Sequence, residues 1–177
     1  MTAIFDLIDK GDAEGIRTLL VADPAAREAR DDAGVSPLMH AAYAGRGPAF
    51  EALVEAAEPT DPWDRLIAGC ADGLPAPDAW SPDGFTPLHL AAFAHNVQAA
   101  QVLLDAGADP NVIAHATLAR VTPLGTCAFA NDPEVARSLL EAGADPSIAE
   151  NERSTPLAVA EANGYAEVAE ILRSAAG

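Results

Sequence analysis

The chain has 177 residues, half of them hydrophobic but only 5% aromatic, and its 27 acidic against 10 basic side chains give a net charge of −17. That field repels nucleic acid and anionic lipid, both of which need Lys and Arg to displace counterions, so no nucleic-acid or membrane partner is expected and a basic protein partner is favoured. Two cysteines without a C-x-x-C pair, an N-terminus without a basic leader and the lack of any long apolar run predict a cytoplasmic protein.

In chain order, Phe5, Gly11 and Leu19-Leu20 mark a first helix pair starting near Thr2 (unit 1–34), a cap that lacks the turn phrase of the later units. Ser36-Pro37-Leu38 opens the second unit (35–58), followed by Ala41-Ala42, Gly45 and Leu53-Val54. The next such phrase, Thr86-Pro87-Leu88, comes only 50 residues later, too long a gap for one unit and too short for two. Within it, Trp63 to Gly69 repeats the step from Phe5 to Gly11, so 59–80 reads as a truncated unit. Pro75 and Pro77 forbid its second helix. The other reading is a long loop carrying one helical turn.

The clearest unit (81–113) explains itself mechanically. Asp83-Gly84 is a turn, Thr86 is placed to cap a helix, and Pro87 takes the first helical position, where its missing N–H costs nothing. Ala91-Ala92 let helices approach closely, Leu103-Leu104 complete a second apolar face, and Gly107 ends that helix in a left-handed conformation. Thr122-Pro123-Leu124, Cys127-Ala128, Leu139-Leu140 and Gly143-Ala144-Asp145-Pro146 repeat the order (unit 114–149), and Thr155-Pro156-Leu157, Gly164 and Ile171-Leu172 close it (unit 150–177). The last three phrases start 36 and 33 residues apart. Arg173 stands where earlier units have a second apolar residue, as a terminal cap requires. The stretch Val112 to Val121 is longer than the period needs. It carries His115 and the run Ala116 to Ala119, and is either a recognition loop or a tolerated insertion.

T-P-L-H-x-A-A followed by L-L-x-x-G-A-D-x-N, as in Thr86 to Asn111, resembles the ankyrin repeat. The resemblance implies an all-α ankyrin-repeat solenoid over 1–177, built of stacked helix-turn-helix units with short β-turn fingers along one edge. It also implies that His89, fourth in its phrase, ties adjacent turns together. His95 and Asn131 fall where the pattern has Gly, so both are expected in the left-handed region. Cys127 is expected to be a small buried hydrophobe. Cys70 has no neighbouring positive charge in the sequence to activate its thiol.

No nucleophile elbow, zinc motif or phosphate loop is present, so no catalytic residue, metal or cofactor is expected. In this family, partner contacts come from the finger residue before the turn phrase and from residues late in the first helix. Those positions hold Val35, Phe85 and Val121, and Tyr43, Phe93 and Phe129. Stacked, they would form an exposed apolar stripe on the concave face. The competing expectation is that the rings fold down onto the fingers or the 59–80 segment. The functional expectation is a non-enzymatic, monomeric scaffold for a protein or peptide. A homodimer using the same stripe is the alternative. More remote is a small hydrolase or metal enzyme with a site near Trp63, Cys70 and Trp80.

Overall fold

The computed structural model describes residues 3–116, 119–149 and 154–177; Thr2 and the pair Thr117-Leu118, on which expectations were placed, lie outside them. The described residues form eleven α-helices and no strand. In chain order these are α1 Ala3–Asp9, α2 Ala13–Ala22, α3 Pro37–Tyr43, α4 Pro48–Ala56, α5 Pro62–Ile67, α6 Pro87–Phe93, α7 Val97–Asp105, α8 Pro123–Ala130, α9 Pro133–Glu141, α10 Pro156–Ala162 and α11 Ala166–Ala175. Each repeated turn phrase starts a helix. The hydroxyls of Ser36, Thr122 and Thr155 accept the N–H of Met39, Gly125 and Ala158 at 3.1, 3.1 and 3.3 Å.

Within a unit the two helices are joined by a tight turn through a left-handed residue. His95 (φ 55°) and Asn131 (φ 57°) take that conformation in the units that lack Gly. The next residue caps the second helix: Asn96 accepts from Ala99 N–H at 3.0 Å, and Asp132 from Val135 N–H at 3.0 Å. Small residues at the seams, among them Ala91, Ala92, Ala99, Ala100 and Ala128, are fully buried, which is how a chain poor in aromatics closes its core.

The first helices stack in the order α1, α3, α5, α6, α8, α10. The second helices pack as α2 on α4 and as α7 on α9 on α11, but α4 and α7 do not pack side by side. The break lies at 59–80. There α5 takes its place between α3 and α6, and no second helix follows it. Instead Asn96 Nδ2 donates to the Leu66 and Cys70 carbonyls (3.2 and 2.7 Å), Arg46 donates to the Ile67 carbonyl (2.7 Å), and Leu74 packs against the core.

Fingers project ahead of the first helices. Asp31 N–H donates to Val35 O (3.0 Å) in one and Ser81 N–H to Phe85 O (2.8 Å) in the next. In the third, Ala114 N–H donates to Val121 O (2.8 Å) across the longer loop. Gly84 (φ 92°) is required where it stands, because a Cβ there would lie 2.9 Å from the Ala116 backbone nitrogen. The 59–80 segment supplies no finger, so the first two fingers close up on each other. A Cβ at Gly34 would meet Pro82 Cβ at 3.0 Å, and Tyr43 Oη donates to Asp83 Oδ2 at 2.7 Å.

Candidate recognition groove

Between the fingers and the first helices runs an open groove of about 1090 Å³. Val35, Tyr43, Phe85, Phe93, Val121 and Phe129 all line it, so the six residues aligned by the repeat meet at one surface. They are not equally exposed. Phe129 is 64% and Tyr43 39% exposed, while Phe85, Phe93 and Val121 are half-buried. Val35 is corrected: at 3% exposure it belongs to the core, because its side chain turns inward at the base of the finger. Neither expectation for the rings holds for all of them. Phe85 and Phe93 pack partly on the core, and Phe129 stands out from it.

Tyr43 and Phe93 belong to units that the repeat count separates by one, yet their rings meet edge to face at 5.3 Å. The contact follows from the 59–80 segment, in which the position two before left-handed Gly69 holds the fully buried Ile67 in place of an aromatic. Tyr43 is further fixed by its bond to Asp83, whose other oxygen accepts from Ser81 Oγ at 2.6 Å. Withdrawal from water and the Asp83 charge both push the phenol pKa up, so Tyr43 remains a donor.

Carboxylates of the fingers also reach the groove. Asp31, Asp32 and Asp83 line it, and no Lys or Arg is among the described lining residues. The signal available was their place just before Val35 and Phe85 in the fingers. Asp31 Oδ1 accepts from the Ala33 and Val35 N–H groups at 2.9 Å each. Its Oδ2 lies 3.2 Å from His40 Nδ1, and His40 Nε2 lies 2.9 Å from Asp9. Burial opposes charge on His40, but the hydrogen bonds and charges of Asp9 and Asp31 outweigh it and raise its pKa. When protonated, His40 donates to both carboxylates and so braces the first finger against α1.

His89 is fully buried beneath the groove. Its Nδ1 accepts from Thr86 (N–H at 3.3 Å, hydroxyl at 2.7 Å), and its Nε2–H donates to the Val121 carbonyl at 2.9 Å. One unit is thereby tied to the finger of the next, the role the family pattern implied. Burial lowers its pKa to about 4 and keeps it neutral.

The residues of the remote enzymatic alternative go to different neighbours. Trp63 packs on the core, and the Trp80 ring lies 3.9 Å from that of His115 at the finger edge. Cys70 N–H donates to the Arg65 carbonyl at 2.9 Å where the chain turns back after α5, and the Arg65 guanidinium is held by Asp72 at 2.6 Å. Cys127 is fully buried, and burial pushes its thiol pKa up. Among the described residues no group of three His, Cys, Asp or Glu side chains could hold a metal ion, and no helix is long and apolar enough to cross a membrane.

The sequence matches the family model for ankyrin repeats in three copies over residues 1–114 and that for a single ankyrin repeat over residues 120–151. No curated protein matches it.

Proposed function

The chain belongs to the ankyrin-repeat family, whose repeats generally mediate contacts between proteins, and we propose that it is a non-enzymatic scaffold that docks a protein or peptide in the groove between its fingers and first helices. The observation that carries this reading is the convergence of five repeat-aligned residues, Tyr43, Phe85, Phe93, Val121 and Phe129, on one open groove, with Phe129 and Tyr43 left exposed. Aromatic anchors of this kind supply much of the energy of protein interfaces. The scaffold acts as a monomer in a reducing, cytoplasmic setting, consistent with its two free cysteines.

The test is site-specific crosslinking with a photoreactive amino acid at Phe129, in the native host. A second probe at Val21, 85% exposed on α2 and outside the groove, serves as control. The same discrete adduct should form from position 129 and not from 21. Equal adducts from both positions, or from neither, would count against the groove.

A further inference from the structure

We propose that the groove's occupant is a basic segment of a partner protein that places an arginine at the end formed by Asp31, Asp32 and Asp83 and an apolar residue against Phe129. The inference rests on the reading of the groove as a docking site and adds the chemistry of what docks. Its first support is the distribution of charge along the stack. The carboxylates belong to the first two fingers. Beyond them the lining turns neutral and apolar, through Val121 and Phe129 to Val159. The groove therefore has an acidic end and an apolar end, and among the described lining residues no Lys or Arg faces the first.

At the acidic end, Asp31 is committed to holding its finger and to His40, whereas Asp32 is exposed to solvent. Asp83 accepts one hydroxyl on each oxygen, which leaves further lone pairs for an incoming donor. The Tyr43–Phe93 ring pair stands directly beside it. A carboxylate next to an aromatic face suits a guanidinium better than an ammonium, because the planar group can lie on a ring while its edge donates to the carboxylate.

Other occupants fit less well. A second copy of this chain brings another charge of −17, and its ten basic residues never adjoin one another, so it offers no basic segment to insert. Nucleic acid and anionic lipid are repelled by the same field.

The experiment uses four synthetic peptides of equal length and measures their affinity for the full chain by fluorescence anisotropy. The first combines arginines with one leucine. The others replace the arginines by lysine, the arginines by glutamate, or the leucine by alanine. Each is tested against wild type, Asp32→Lys and Phe129→Ala, two exposed positions whose variants are checked by thermal unfolding. The arginine–leucine peptide should bind best and weaken as salt is added. The glutamate peptide should bind at least tenfold more weakly, and each variant should weaken the arginine–leucine peptide at least tenfold.

If the glutamate peptide binds as well, or Asp32→Lys changes nothing while Phe129→Ala abolishes binding, the charge inference is overturned and the groove reading stands. If the basic peptides bind but Phe129→Ala has no effect, they adhere to the acidic surface at large and the groove reading falls. Failure of all four peptides to bind would overturn the basic occupant. So would light scattering that shows a dimer abolished by Phe129→Ala, which would assign the groove to a second copy.

Discussion

Burying an imidazole beside a carbonyl acceptor fixes its protonation, and His89 makes stability depend on pH for that reason. Its pKa is depressed from 6.5 to about 4 by burial, so between those values the unfolded chain binds the proton that the folded chain refuses. The stability it contributes is complete above about pH 6.5 and is lost as pH falls toward 4, by about 3 kcal/mol in all. Asp64 works in the opposite direction. It is largely buried where it accepts the Ser36 hydroxyl, and desolvation lifts its pKa from 3.8 to about 6. Here the folded state holds the extra proton, so stability declines by about 2 kcal/mol as pH rises from about 4 to about 6. The two effects partly cancel, and wild type should show a shallow profile across this interval. Denaturant unfolding at a series of pH values separates them. His89→Gln should flatten the acid-side loss and expose a profile that falls with rising pH. Asp64→Asn should show the reverse, a steeper loss on acidification. Parallel curves for wild type and both variants would refute these assignments.

Among the elements, α5 and α7 are coupled through one side chain. Asn96 caps α7 with its oxygen and ties down the end of α5 with its nitrogen. Asn96→Ala removes the cap and leaves two carbonyls without their donor, a loss of about 2–3 kcal/mol. Asn96→Asp is the more telling variant, since Asp caps the corresponding helices as Asp12 and Asp132. A carboxylate here would keep the cap but face the Leu66 and Cys70 carbonyls with negative charge. Thermal unfolding should therefore find Asn96→Asp at least as destabilised as Asn96→Ala. Wild-type stability in the Asp variant would mean the bonds to α5 contribute nothing. Asn96 also marks the limit of what the sequence discloses. Its cap is local chemistry, as are the Thr and Pro starts and the left-handed His95 and Asn131, and all of these could be read from neighbours a few residues away. Its partners Leu66, in α5, and Cys70, just beyond it, lie 30 and 26 residues back, in a segment whose course the repeat does not specify. The candidate groove divides along the same line. Periodicity aligned Tyr43, Phe93 and Phe129 at one address, but whether a side chain turns in, as Val35 does, depends on tertiary packing. Nor could a count of units reveal that Tyr43 touches Phe93, because that contact exists only where the count fails.

Across the whole molecule, the stack is continuous in one layer and interrupted in the other. A repeat array gains its cooperativity from contacts between neighbouring units, so its stability is a sum of unit and interface terms. Here the first helices run unbroken through α5, while the second helices fall into two groups, α2 with α4 and α7 with α9 and α11. The junction is held on the groove side, by the Tyr43–Phe93 and Tyr43–Asp83 contacts and the abutting fingers, and lacks a helix on the opposite side. Where an interface term is small, an array divides into blocks that open separately. We expect residues 3–56 and 87–175 to behave as two such blocks. Leu53→Ala in α4 and Leu139→Ala in α9 each open a cavity in a buried seam, at a cost of about 2–4 kcal/mol. Native-state hydrogen exchange should then show Leu53→Ala lowering the protection of amides in α1 to α4 while those in α8 and α9 keep theirs. Leu139→Ala should produce the mirror image. Loss spread evenly over both blocks in either variant would show that α5 and the closed fingers transmit full cooperativity, and that the missing helix costs the array nothing.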